Sequence, residues 1–204
     1  MTHLGPQWTL GVDTDFRRVT DLADEGQFGP AVLFAPFNYA DGRIYGVETT
    51  LAWRSGATSA YLSSAWGRAL GTDIVTGQYN FAPSELAAIA HQWIPLDHDQ
   101  RVTVSGGVTH SVAETVLSLD FLAGTGLRSG PLNSDHLPGY MTFNVAVHRK
   151  VMLGALGEVE WSLSLVNLLD RVYEIRDGTG VGVGAPQWGQ RRGDYLSFSR
   201  AFGA

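Results

Sequence analysis

Apolar and polar residues alternate with a period of two along most of the chain, and helical periodicity is almost missing. The clearest run is 158–165, where Glu158, Glu160, Ser162 and Ser164 oppose Val159, Trp161, Leu163 and Leu165. Met141, Phe143, Val145 and Val147 oppose Thr142, Asn144, Ala146 and His148 in the same way. Between 43 and 53 the apolar side is Tyr45, Val47, Thr49, Leu51 and Trp53, against Gly46, Glu48 and Thr50. Five further segments follow the pattern, roughly 7–19, 58–70, 98–110, 114–124 and 193–202. The pattern predicts eight strands and an all-β chain.

The connections carry more information than the strands. Short turns fall near Ser55-Gly56-Ala57, Ser111-Val112-Ala113 and Leu153 to Leu156. Long connections fall at roughly 20–41, 71–97, 125–138 and 171–192, in strict alternation with the short ones. An antiparallel up-and-down meander places alternate connections on opposite edges, so one edge is trimmed and the other carries large loops. Transmembrane β-barrels sort their loops in this way, and strands of about ten residues suit a tilted span. One long loop is expected to hold a short helix, with Ser84 as N-cap before ELAAIA.

Composition narrows the classes. No run of about 18 apolar residues is present for a spanning helix. The first residues, MTHLGPQWTLGVDTDFRR, lack the basic and apolar regions of a signal peptide. The net charge of -6, with no basic stripe, argues against nucleic acid as a partner. The chain has no cysteine, so disulfides, thiolate metal sites and thiol nucleophiles are excluded. Glu48, Asp120, His148, Glu158 and Glu160 on the polar faces suit a hydrated barrel interior. Trp53, Trp66, Tyr140, Trp161 and Tyr195 are candidates for interfacial aromatic girdles.

Five stretches occur in an order that points further: PFNYADGRIYGVETTLAW, LDHDQRVTVSGGVTH, GTGLRSG, LPGYMTFNVAV and LVNLLDRVYEIRDGTGVGVGAPQWGQRR. Together with a last strand closing on the aromatic Phe202, they closely resemble the C-terminal part of TonB-dependent outer-membrane receptors. The resemblance runs from about residue 7 to Phe202. It implies the last eight strands of a 22-stranded barrel whose lumen holds a plug domain. It further implies a Gram-negative outer membrane, uptake of a scarce nutrient such as a ferric siderophore, and energy from TonB–ExbB–ExbD acting through the plug. The plug, the TonB box and a signal peptide are missing from the 204 residues, so a truncated frame or a fragment of a longer receptor is expected. Two other readings stay open: an autonomous small outer-membrane barrel with a structural or adhesive role, and a soluble β-barrel binding a small lipophile.

Candidate chemistry is sparse. In Asp97-His98-Asp99, strand alternation would let only the two aspartates converge, which is too few ligands for a metal. The histidines show no H-x-x-x-H or H-E-x-x-H spacing, and no G-x-S-x-G elbow is present, so neither an enzyme nor a cofactor is expected. Gly180, Gly182 and Ala185 fit the letters of a dinucleotide turn, but Pro186 and Gly189 follow where a helix would have to begin. That stretch reads as the last long loop. The best ligand candidates are loop aromatics and arginines that would suit a flat, anionic metal chelate: Tyr79, Phe81, Trp188, Arg191 and Arg192.

Overall fold

A computed structural model describes residues 2–28, 33–154 and 157–200. Two edge residues, β1 (Thr2–His3), precede three long strands: β2 (Trp8–Phe28), β3 (Leu33–Ser55) and β4 (Thr58–Ile74). A helix α1 (Pro83–Ile89) and a short β5 (Ile94–Pro95) follow. Next come β6 (Val102–Val112) and β7 (Thr115–Gly124), then the small ribbon of β8 (Arg128–Ser129) and β9 (Asp135–His136). The chain continues through β10 (Tyr140–Met152) and β11 (Glu158–Val166), a second ribbon of β12 (Glu174–Asp177) and β13 (Pro186–Trp188), and finally β14 (Gly193–Ser199).

The eight strands expected from alternation are all present, as β2, β3, β4, β6, β7, β10, β11 and β14. They form one antiparallel meander in chain order, with β1 at one edge and β14 at the other. Among the described residues the two edges do not pair with each other, so the sheet is open. Two of its turns are two residues long. Gly56 and Ala113 take left-handed conformations there, at φ 55° and 50°. Phe202, expected to close the last strand, lies outside the described residues.

The register confirms the two faces. One runs across the sheet through Trp8, Trp53 and Ala60, and through Val108, Leu119, Val145 and Leu165. The other carries Asp13 opposite Glu48, Asp120 opposite Asn144, and His148 opposite Ser162. The apolar face is uncovered: Val12, Phe16, Leu62, Leu117, Leu163, Leu196 and Phe198 are all exposed. Aromatic contacts mark its two borders. Trp8 meets Trp53 at the turn end, and Phe16, Tyr45 and Trp66 form a row at the loop end. Eight residues separate the borders, about 26 Å of strand at roughly 3.3 Å per residue. Tilted by about 40°, that makes a band of about 20 Å. Trp161, opposite Phe198, belongs to the apolar face, but two expected girdle residues do not. Tyr195 opposes Ser164 on the polar face, and Tyr140 is in register with the polar-face positions and stacks on Tyr173 at 4.4 Å.

Three of the four long connections hold. The one expected at 20–41 is instead a continuation of the β2–β3 hairpin, paired up to Phe28 and Leu33. Its faces are inverted. Asp21 of β2 and Asp73 of β4 sit at φ 54° on either side of β3, and Ala40 between them has no Cα partner. Below this level even-numbered β2 residues point to the apolar face. Above it Leu22 packs against Gly42 of the polar face, and Phe28 joins the buried cluster. A left-handed residue in each flanking strand reverses the pleat, so apolar side chains turn inward over the end of the sheet. There Phe37, Tyr39, Ile74, Phe81, Ile89, Ile94, Leu96 and Val181 form the main buried core. The helix was correctly expected but starts earlier, with Ala82 as N-cap and Pro83 in the first turn. Ser84 lies inside it.

Candidate functional site

The long connections form a platform above the polar face, held by charges and amides that reach from one connection to another. Asp97 and Asp99 follow β5 and are buried. Asp99 meets Arg128 of β8 at 2.8 Å and accepts the backbone N–H of Ala69 at 2.7 Å. Asp97 meets Arg176 of β12 at 2.8 Å. The His98 ring lies 2.9 Å from the Asp97 carboxylate, with Asp24 of β2 at 3.9 Å. Alternation therefore misled on this triplet. The segment is irregular, so His98 converges with Asp97 while the two aspartates take separate arginines. The same pull delays β6 to Val102, four residues after the expected start.

The His98 titration is raised, first by its hydrogen bond to Asp97 and then by the charge of Asp24. Burial raises the Asp24 carboxyl, and the neighbouring charge of Asp97 adds to this. Asp24, Asp97 and His98 bring three ligand atoms within 4.8 Å of one another. Arg176 already supplies the positive charge at this point, so a cation would have to displace it. The cluster works as an electrostatic clasp between three connections.

Two buried asparagines complete the platform. Asn133 donates to the Pro95 carbonyl and accepts from the Val181 N–H, both at 2.8 Å. Asn167 donates to the Arg171 and Gln190 carbonyls and accepts from the Arg171 N–H, again at 2.8 Å. The glycines of 178–184 allow the last connection to lie flat across the others. A Cβ on Gly184 would sit 2.1 Å from the Gln27 carbonyl oxygen, and one on Gly180 would sit 2.7 Å from Asn133 Oδ1. These glycines serve close packing.

The expected ligand residues separate into three environments. Tyr79 and Trp188 stand out from the platform, 88% and 60% exposed. Phe81 does not face outward: its ring packs edge-on against Phe28 and Phe37 in the core, which claims it for platform stability. Arg191 is engaged by the Asp170 carboxylate, which also accepts the Arg192 backbone N–H. That pairing holds the Asp170 carboxyl well below its usual range. The structure thus brings Arg191 and Arg192 together on one carboxylate and leaves Tyr79 and Trp188 as projecting aromatics.

Beneath the platform the polar face forms an acidic, hydroxyl-rich wall. Asn144 donates to Asp120 at 2.7 Å, and Lys150 meets Glu158 at 3.0 Å. A concavity of about 230 Å³ between wall and platform is lined in part by Asp15, Glu48, His98, Asp99 and Gln100. Another, of about 430 Å³ at the turn end, includes His3, Gln7, Thr9, Tyr61 and Thr109. These surfaces can hydrate and steer a polar solute.

The clasp and the Asp99–Arg128 pair beside it were missed in the sequence because their members lie in separate segments. LDHDQ supplies Asp97, His98 and Asp99, GTGLRSG supplies Arg128, YEIRDGTG supplies Arg176, and Asp24 comes from the 20–41 segment. The available signal was a single arginine in each of the two short motifs.

No family model and no curated protein sequence matches the chain. Its structure is similar to the copper transporter OprC, with a TM-score of 0.65 and 13% identity over 98% of this chain and 30% of that one. It is similar to the siderophore receptor PiuA from Acinetobacter baumannii, at 0.63 and 11% over 94% of this chain and 26% of that one. The ferric-catecholate import receptor Fiu from E. coli K12 gives 0.63 and 12% over 98% and 26%. All three are TonB-dependent receptors. The chain has the all-β, up-and-down fold of their barrel strands and spans less than a third of their length.

Proposed function

We propose that the chain is the C-terminal barrel portion of a TonB-dependent receptor that takes up a metal chelate across a Gram-negative outer membrane, most simply a ferric siderophore. The observation that carries this reading is the sheet itself. One complete face is apolar and uncovered between two aromatic borders, and the opposite face is acidic and hydrated. All the large connections rise from one edge. In this reading the apolar face meets lipid, the trimmed edge faces the periplasm, and the platform faces outward. The open edges pair with the receptor's remaining strands, since unpaired backbone in lipid costs several kcal/mol per group.

The polar wall would face a plug domain, which couples to TonB–ExbB–ExbD. Tyr79 and Trp188 would meet the incoming chelate by stacking, and Arg191 and Arg192 would lend charge at the mouth. The fold neighbours support metal cargo by their descriptions as copper, siderophore and ferric-catecholate transporters. The test is growth rescue of a strain stripped of its own iron receptors, expressing the complete receptor and fed single ferric chelates or copper. Rescue by one ferric chelate, abolished without TonB, is expected. Rescue by none, from a receptor correctly placed in the outer membrane, would refute iron uptake.

A further inference from the structure

We infer that the cavity between the start of β6 and the β8–β9 ribbon is a subsite for a carboxylate arm of the incoming chelate, with Arg101 as its anchoring cation. This rests on the reading of the chain as part of a chelate receptor, and it narrows the cargo to a chelate of the hydroxy-acid type.

The cavity measures about 390 Å³ and is lined by Arg101, Thr125, Gly126, Arg128 and His136, none of them acidic. That size suits a small-molecule site. The ribbon sets Arg128 directly opposite His136, and Arg101 reaches the same space from the residue before β6. The backbone around Arg101 is pinned on both sides. Its carbonyl accepts the Gly67 N–H at 3.1 Å, and the adjoining Val102 N–H donates to Thr125 Oγ1 at 3.1 Å.

The two arginines differ in how their charge is balanced. Arg128 gives its Nε and Nη2 to Asp99. Among the described residues no carboxylate lies within 4.0 Å of Arg101, and its Nε is buried without a hydrogen-bond partner. A buried charged donor left unmade is costly, and an anion entering the cavity relieves that cost.

The lining also selects among anions. A guanidinium fork matches the two oxygens of a carboxylate. His136 Nδ1 donates to the Leu137 carbonyl at 3.0 Å. Its Nε2 is then left to accept from a hydroxyl, or to donate to a second carboxylate when the ring is charged. No phenylalanine, tyrosine or tryptophan lines the space, so a catechol ring would find no stacking partner there. Hydroxy-acid arms fit this set better than catechol rings do.

The test titrates the complete receptor in detergent, followed by its tryptophan fluorescence, with ferric citrate, a ferric tris-catecholate and inorganic phosphate in competition. The native receptor should bind ferric citrate the more tightly of the two chelates. Arg101→Gln should weaken ferric citrate on the order of tenfold to a hundredfold at an unchanged melting temperature. Arg101→Lys, which keeps the charge and loses the fork, should fall between. Unchanged citrate binding in Arg101→Gln would overturn the subsite, and so would a loss explained by a lowered melting temperature. Phosphate bound as tightly as ferric citrate would make this a site for free anions and overturn the chelate assignment. Preference for the tris-catecholate would overturn the hydroxy-acid class and leave chelate uptake intact. Saturable binding of neither chelate by the folded receptor would sink both readings.

Discussion

Arg128 places its Nε at 2.9 Å and its Nη2 at 2.8 Å from one carboxylate oxygen of Asp99, while the other oxygen accepts the Ala69 N–H at 2.7 Å. Both side chains are at least nine-tenths buried. The pair ties the β7–β10 connection to the segment before β6 and to the wall strand β4. Breaking such a pair from one side leaves an uncompensated buried charge, at about 3–5 kcal/mol. Arg128→Met should therefore destabilise the platform by roughly that amount. Arg128→Met combined with Asp99→Asn should recover part of the loss, because neither charge remains. Denaturant unfolding followed by limited proteolysis of the loops would show both effects; an unchanged single variant would remove the pair from the account.

His98 predicts a pH dependence with a definite sign. Its folded titration lies above 6.5 because Asp97 and Asp24 favour the imidazolium. The folded state thus binds the proton more tightly than the unfolded state. That stabilisation is complete below pH 6.5 and is lost as pH rises through the folded value. Asp24, raised from 3.8, acts in the same sense at lower pH: its contribution is present below 3.8 and lost as pH rises through its own folded value. Loop protection from hydrogen exchange, corrected for intrinsic rates, should fall as pH rises from 6 to 9. Asp97→Asn should lower the His98 titration seen by NMR.

The eight strands and their facing were legible because period-two alternation is written locally, residue by residue. Met141 to His148 fell on the faces the register later showed. The platform was less legible because it depends on contacts distant in sequence. Nothing near Asp99 announces Arg128, and nothing near Gly184 announces the Gln27 carbonyl. The 20–41 segment misled for another reason. Left-handed Asp21 reverses the pleat there, so one strand displays two opposite alternations and reads as a loop. The projecting Tyr79 and the inward Phe81 were likewise inseparable by type, since both are aromatics two residues apart in one connection.

Gly184 supplies a sharper test of close packing than any loop charge. A methyl group at 2.1 Å from a carbonyl oxygen cannot be accommodated without separating the two backbones. Gly184→Ala should lift 178–184 away from the β2–β3 hairpin. The Gln27 N–H donates to the Gly182 carbonyl at 2.7 Å, so its hydrogen exchange should accelerate, while Val104 and Val145 in the sheet remain protected. Unchanged exchange at Gln27 would mean that this contact does not hold the connection.

The facing of β10 distinguishes a lipid-exposed sheet from a soluble one. Val145 sits mid-strand between Leu119 and Leu165, whereas its neighbour Ala146 sits between Ser118 and Ser164. Arginine on a lipid face near the midplane costs about 2–4 kcal/mol, and arginine toward a hydrated lumen costs far less. In the complete receptor, Val145→Arg should reduce the outer-membrane fraction of folded protein well below that of Ala146→Arg. Equal yields from the two would argue that the apolar face does not meet lipid.

Asn167 combines two demands that substitutions can separate. Its side chain satisfies the Arg171 N–H and the Arg171 and Gln190 carbonyls, and its backbone stands at φ 49°. Glycine keeps the left-handed backbone at little cost but leaves those groups unpaired, at roughly 1–3 kcal/mol for each buried group. Alanine loses the same bonds and adds about 1 kcal/mol of backbone strain. Asn167→Gly should therefore be clearly less stable than the parent, and Asn167→Ala lower again by about 1 kcal/mol. Equal stability of the two variants would mean that the backbone relaxes out of the left-handed region once the side-chain bonds are lost. Native stability in both would show that water replaces the amide, and the link from β11 to the last connection would then rest on Asp170 and Arg191.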